Sequence, residues 1–432
     1  MVLHRPVELA AVTGEVKSAD SQCPVELAPL IRYLAVTVNP KPLWTILRST
    51  SRGTKMSTLR KTFCTLTAVG LFGVFVAGCG GGSAVTNPPP PPPPTAHAVL
   101  FVDSAAGIQA FSIDSGMLTA LASTADTDLS RFITGNMLIA GSGKFLLVSD
   151  STGTHIKVFS INQSTGALTP VAGSPFAIGG AGGGSLAIDS SGKYLYAPYL
   201  AGVAAFSFKN STGTLTPLAN SPFSDGSSPF AGAVDPSGKF FYTTGSTVQT
   251  GLSVYALNSA TGALTPVAGS PFATPLSTGP YNLVVAPAGG TVYATVPSNN
   301  AVFGMSINPM SGTPSPVAGS PFSAVDIDMF LGLSPAGNFL YTCNEGNGTI
   351  SAFTVNSANG ALAPIAGTPF GFSNCSTTVA VDPSGKYLYA ANPGGNSITG
   401  FSIDATTGVL TMLTGSPFPA TDATLITIAT LQ

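Results

Sequence analysis

The amino-acid sequence predicts an all-β fold for residues 98–432, a closed ring of seven four-stranded sheets, and three observations predict it. Pro-Phe pairs ending at Phe176, Phe223, Phe272, Phe322, Phe370 and Phe418 recur every 47–50 residues, the period of a repeated supersecondary unit. Within each unit, short runs of Val, Ile, Leu, Phe, Tyr and Thr alternate with turn residues and leave no room for a helix. Finally, the two ends of the repeated region carry incomplete units that complement each other.

The last unit shows the plan. Residues 378–382, 386–392, 397–404 and 409–413 read as four short strands, separated by Asp382-Pro383-Ser384-Gly385, by a loop at 393–396 and by a turn ending at Gly408. Asp, Pro and Gly at the first, second and fourth places of a type I turn have mechanical roles: Asp bonds the backbone, Pro presets φ, and Gly relaxes the exit. The signal recurs at Asp235-Pro236-Ser237-Gly238 and, less completely, at Asp189-Ser190-Ser191-Gly192. In the other turn Gly166, Gly213, Gly262, Gly360 and Gly408 stand where a positive φ is needed.

Such a unit cannot bury both faces alone, so repeats stack radially or linearly. The ends decide. Residues 98–102, 108–114 and 117–121 supply three strands of a unit, and the apolar stretch 424–431 supplies a strand without a unit. Together they make a seventh blade, so the reading is a seven-bladed β-propeller whose C-terminal strand joins the N-terminal blade.

Upstream, Arg60 and Lys61 precede an apolar stretch at 63–76, then Ala77, Gly78 and Cys79. This has the three regions of a secretory signal and is short for a membrane span. Val76-Ala77-Gly78-Cys79 resembles a lipobox, which implies lipidation at Cys79 and a bacterial cell-envelope location. Gly80 favours the outer membrane over the inner. Residues 56–78 are then the lipoprotein signal peptide and 79–97 a linker containing seven consecutive prolines, Pro88–Pro94, which favour a polyproline II spacer. Residues 1–55 have no period or motif and read as a mis-assigned start ahead of Met56 or a disordered extension.

From Cys79 onward there are seven more acids than bases, a balance unsuited to neutralising phosphates, so neither nucleic acid nor anionic lipid is the expected partner. With strands A to D numbered outward from the axis, the A–B and C–D turns share one face (the turn face). The irregular B–C and D–A loops share the other (the loop face), where rigid scaffolds place recognition. The rare residues of the exported part fall there: its one Arg, Arg131, its one Glu, Glu345, and His155. Two Asp-x-Asp pairs, Asp126/Asp128 and Asp326/Asp328, lie there too. They offer oxygens of the kind Ca²⁺ takes but lack the further ligands of a calcium loop; the expectation is hydrated loop acids and no cofactor. Arg131, His155, Glu345, Asp326 and Asp328 are the candidate ligand face. Cys343 and Cys375 meet that face at one blade boundary, which leaves open a disulfide or two free thiols.

The run Asp-Pro-Ser-Gly-Lys-Tyr-Leu-Tyr-Ala-Ala-Asn at 382–392, with Phe-Ser-Ile-Asp and Gly-Val-Leu-Thr after it, resembles the lactonase-type seven-bladed propellers. These include 6-phosphogluconolactonase-like proteins and surface repeat proteins with a Tyr-Val-Thr-Asn signature. The resemblance implies the architecture and suggests lactone opening. The matching residues build turns and blade cores, so no catalytic residue carries over. No nucleophile elbow, zinc-ligand His pair or Ser-His-Asp set stands in the chain, and a phosphorylated lactone calls for a basic cluster. The sequence therefore favours a lipid-anchored binding or scaffold module that presents its loop face to a protein, glycan or small ligand. The alternative is a lactonase-like hydrolase, for which an uncharged lactone escapes the charge objection.

Overall fold

The computed structural model describes residues 97–104, 107–126, 137–150, 152–182, 184–224, 226–245, 251–274, 280–325, 327–371 and 378–431. The expected signal peptide, Cys79, the proline spacer and residues 1–55 lie outside them. Among the described residues no helix is long and apolar enough to cross a membrane.

The described residues form seven antiparallel sheets. Blade 1 takes strand A from Ile426–Leu431 and strands B to D from His97–Ser104, Gly107–Asp114 and Met117–Ala125. The closing pair runs from His97 opposite Leu431 to Val102 opposite Ile426. Blades 2 to 7 follow in chain order, and the innermost strand of blade 1 touches those of blades 2 and 7, which closes the ring. Residues 89–432 form one compact unit whose two ends are joined by this pairing.

The strand pattern follows from radial packing: each sheet is covered on both faces by its neighbours, so strand B is buried throughout, as in Phe339–Asn344 and Phe240–Gly245. Each seam has its own apolar cluster, such as Leu100, Phe111, Tyr389 and Phe418 between blades 7 and 1. Burying side chains of this size stabilises by about 1.5–3 kcal/mol each. The expected turns form. Gly385 donates to the Asp382 carbonyl at 2.8 Å, and the Asp382 carboxylate accepts from the N–H groups of Lys386 and Tyr387 at 2.9 and 2.8 Å. The five turn glycines have φ between 69° and 74°.

Two features add to the plan read from sequence. The Pro-Phe pairs begin a fifth, two-residue strand in blades 2, 5, 6 and 7, which pairs with the upper half of strand C beyond the end of strand D. Ahead of each pair a Ser or Thr hydroxyl accepts a strand C N–H that strand D leaves open, as Ser416 does from Gly400 at 2.9 Å and Ser174 from Val158 at 3.0 Å. Second, buried tyrosines of strand B latch one blade to the next. Tyr196, Tyr293, Tyr341 and Tyr389 donate to the carbonyls of Gly262, Gly360, Gly408 and Gly116 at 2.9, 2.7, 2.9 and 3.0 Å. The last of these bridges blade 7 to blade 1.

Candidate functional site

On the loop face of blade 2, strand B (Phe145–Ser149) passes to strand C (His155–Ile161) through a tight connection. Its closing backbone bond runs from the Asp150 N–H to the His155 carbonyl, 2.9 Å. Asp150 and His155 are thus cross-strand partners, and their side chains meet: His155 Nδ1 lies 3.1 Å from Asp150 Oδ2. The other carboxylate oxygen accepts the N–H groups of Thr154 and His155 at 2.8 and 3.2 Å. The Thr152 and Thr154 hydroxyls add bonds of 3.1 Å to Oδ2. Burial would raise the Asp150 carboxyl, but the Thr154 and His155 N–H groups, the imidazole and the Thr152 hydroxyl outweigh it and hold the pKa below the ordinary value. Asp150 is therefore a fixed anion. The Asp150 side chain is 7% exposed and that of His155 41%, a buried carboxylate orienting a solvent-accessible imidazole. With Nδ1 engaged, Nε2 is the nitrogen left to accept a proton.

Two residues along the same strand, Lys157 shares the His155 face. Its ammonium lies 2.6 Å from Asp126, at the end of blade 1's outermost strand, and both side chains are largely buried. The alternate residues Ile156 and Val158 pack towards blade 3. His155 and Lys157 consequently face blade 1, and the Lys157–Asp126 pair braces the seam beside the dyad.

Side chains from non-adjacent blades meet at the loop-face mouth of the axis. Asn282 Nδ2 of blade 5 donates to Ser185 Oγ of blade 3 at 3.4 Å. Phe330 of blade 6, 7% exposed, joins the apolar cluster of blades 1 and 2. Next to Asn282, Tyr281 stacks on Phe230 with centroids 5.7 Å apart.

Of the residues the sequence singled out, His155 is built into this constellation. Glu345 is exposed in the B–C turn of blade 6 and has no contact with it. Asp328 belongs to strand A of blade 6, and Arg131, Asp128 and Asp326 lie outside the described residues. Asp126 is engaged by Lys157, and among the described residues no three His, Cys, Asp or Glu side chains group to hold a metal. Cys343 is disulfide-bonded; Cys375 is outside the described residues. The sequence reading did not bring Asp150 and Lys157 into the site. Their signals were present: Asp150 and His155 flank a short hairpin connection, and His155-Ile156-Lys157 alternates along a strand.

No curated protein matches the sequence. Among solved structures, a periplasmic gluconolactonase from Pseudomonas aeruginosa is 17% identical, with a TM-score of 0.63 over 78% of this chain and 100% of its own. A Bacteroides uniformis protein provisionally named a 6-phosphogluconolactonase is 20% identical, with a TM-score of 0.63 over 77% of this chain and 99% of its own. A Lactobacillus plantarum protein is 18% identical at a TM-score of 0.58, over 77% and 99%. At these identities the likeness is one of fold. The family model described as "Lactonase, 7-bladed beta-propeller" matches residues 249–427. That match covers under half of the chain, and the matched blades sit in a seven-bladed ring of the architecture the family model describes.

Proposed function

We propose that the protein is a hydrolase of uncharged lactones, held in the bacterial cell envelope by a lipid on Cys79, with His155 as its general base. The observation that carries the catalytic reading is the Asp150–His155 pair at 3.1 Å on the accessible rim. A carboxylate that fixes the tautomer and orientation of an imidazole is the support a general base needs. In the proposed step His155 Nε2 takes a proton from water as the water oxygen bonds to the lactone carbonyl carbon. Collapse of the tetrahedral intermediate breaks the ring C–O bond, the imidazolium returns the proton to the departing alkoxide, and a hydroxy acid results. Asp150, already anionic, stabilises the imidazolium between the two transfers.

Charge supports a neutral substrate. Among the described residues the loop face carries one cation, Lys157, and Asp126 holds it; a phosphate needs an unspent cationic donor set. The family match and the gluconolactonase fold neighbour support the reaction class. The lipid anchor rests on the lipobox-like Val76-Ala77-Gly78-Cys79.

The test is hydrolysis of a panel of neutral and phosphorylated aldonolactones by residues 89–432, with His155→Ala and Asp150→Asn beside it. Turnover of a neutral lactone that falls by about 10²–10⁴-fold in His155→Ala is the expected result. Turnover unchanged in His155→Ala rejects the base assignment, and no turnover on any member returns the chain to a binding or scaffold module presenting its loop face.

A further inference from the structure

The charge of the ring is divided between its faces. Five of the six lysines of the ring lie on the turn face: Lys144, Lys193, Lys209, Lys239 and Lys386. Four of them, Lys144, Lys193, Lys209 and Lys239, occupy the consecutive blades 2, 3 and 4. All four are exposed and none makes an ion pair or side-chain hydrogen bond. The carboxylates of that sector, Asp189 and Asp235, are 5% and 4% exposed and spent on their own turns: Asp189 accepts from Lys193 and Tyr194 N–H at 2.7 and 2.6 Å, and Asp235 from Ser237 N–H at 2.8 Å. The sector is therefore positive, and among the described residues the excess of acids over lysines lies on the loop face.

The path of the chain fixes which way that sector points. Strand B of blade 1 begins at His97 on the turn face, opposite Leu431, and runs towards the loop face. The segment ahead of it, with its seven prolines, thus joins the ring on the turn face of blade 1, next to blade 2. The average charge of the domain argues against an anionic surface, but the average hides this side. We propose that the turn face of blades 2–4 docks on the anionic lipid surface to which the chain is tethered, so that the loop face opens away from the membrane. The orientation rests on the lipid anchor proposed above; the affinity of the lysine sector for anionic lipid does not. Within a Debye length of about 8–10 Å the four ammonium groups attract headgroup phosphates.

Residues 89–432, without lipid, are sedimented with vesicles of phosphatidylcholine alone and of phosphatidylcholine containing phosphatidylglycerol. Binding confined to the anionic vesicles and weakened by salt is expected. Each of Lys144→Gln, Lys193→Gln, Lys209→Gln and Lys239→Gln should lower partitioning about five-fold, whereas Lys386→Gln in blade 7 should not. Absence of binding, binding indifferent to phosphatidylglycerol, equal loss with Lys386→Gln, or tighter retention by single-stranded DNA than by vesicles overturns the proposal. The orientation is read with the lipidated full chain, carrying a fluorophore at Ser191→Cys on the turn face or Asn347→Cys on the loop face, and a quencher in the headgroups. Quenching confined to the Ser191 label is expected, and quenching of the Asn347 label refutes the orientation. A chain that fails to lipidate defeats the anchor and leaves the vesicle result standing.

Discussion

Replacement of Tyr389 by Phe isolates the bond that latches the last blade to the first. The Tyr389 ring is fully buried in the cluster of blades 7 and 1, and its hydroxyl donates to the Gly116 carbonyl at 3.0 Å. Phe keeps the ring and its apolar contacts, so no cavity forms; one hydrogen bond is lost and a buried carbonyl loses its donor. The net bond is worth about 1 kcal/mol, and the stranded acceptor takes the cost to about 1–3 kcal/mol. Tyr196→Phe removes the same bond, to Gly262 at 2.9 Å, from the seam of blades 3 and 4 and serves as the internal comparison. Urea unfolding of residues 89–432 should show the midpoint lowered in both variants with the m-value unchanged. The closing pair within blade 1 already holds the ends together, so the two losses should agree within about 0.5 kcal/mol. A stability equal to wild type in Tyr389→Phe refutes the latch. A loss well beyond 3 kcal/mol, or a changed m-value, shows that this seam opens first and that the ring does not unfold as a unit.

Three further outcomes follow from the same geometry. Burial, foremost, raises the hydroxyls of Tyr196, Tyr242, Tyr341 and Tyr389, and pushes Tyr293 up to about 12. Their folded pKa values exceed the unfolded value near 10, so their contribution is complete below pH 10. It declines above that by about 1.4 kcal/mol per pH unit for each tyrosine; phenolate absorbance should appear together with unfolding, and ionisation of a folded ring contradicts this. Ser416→Ala strands the Gly400 N–H and should cost about 1–2 kcal/mol in urea unfolding, with Ser416→Thr recovering most of it, as Thr368 serves the same role in blade 6 at 2.9 Å. Cys343 is disulfide-bonded, and a non-reducing peptide map should join its peptide to that of Cys375, with reduction costing about 3–4 kcal/mol for a loop of this length; linkage to another cysteine, or none, counts against that pairing.

What could be read from sequence is what local chemistry decides. Asp382-Pro383-Ser384-Gly385 forms its turn because each residue meets a requirement of that turn alone, and the ring could be closed on paper because 98–121 and 424–431 complete a single unit. The two-residue strands at the Pro-Phe pairs were beyond reach, since two residues carry no period and their pairing depends on where strand D happens to stop. The tyrosine latches escaped for a related reason. Tyr389 and Gly116 are 273 positions apart, and the acceptor is a backbone carbonyl that no side-chain pattern reveals. Within the candidate site, His155 stood out by rarity, a weak signal that also selected Glu345, which is exposed on blade 6, away from the dyad.

Asp150 shows how a repeated scaffold can carry the proposed dyad without giving up its own needs. At the matching end of strand B, blade 6 has Asn344 and blade 7 has Asn392, each spending its amide on hydroxyls of the adjoining strand C: Asn344 on Thr349 at 2.7 Å and Asn392 on Thr399 at 2.7 Å. Both amides tie strand B to strand C. An Asp in that place still caps the hairpin, as its bonds to the Thr154 and His155 N–H groups show, and in addition brings a full negative charge to the opposite residue. With a hydroxyl residue opposite, that charge would be one more hydrated acid. With His155 opposite, it becomes a second hydrogen-bonding partner for an imidazole already tethered by the hairpin. The dyad is thus a two-residue departure from a structural position, Asn to Asp and Thr or Ser to His, supported on strands whose rigidity comes from the seams on either side. The Asp150–His155 pair stands at a hairpin connection on the rim of blade 2, whereas Phe330, Asn282 and Ser185 make contacts between non-adjacent blades nearer the axis.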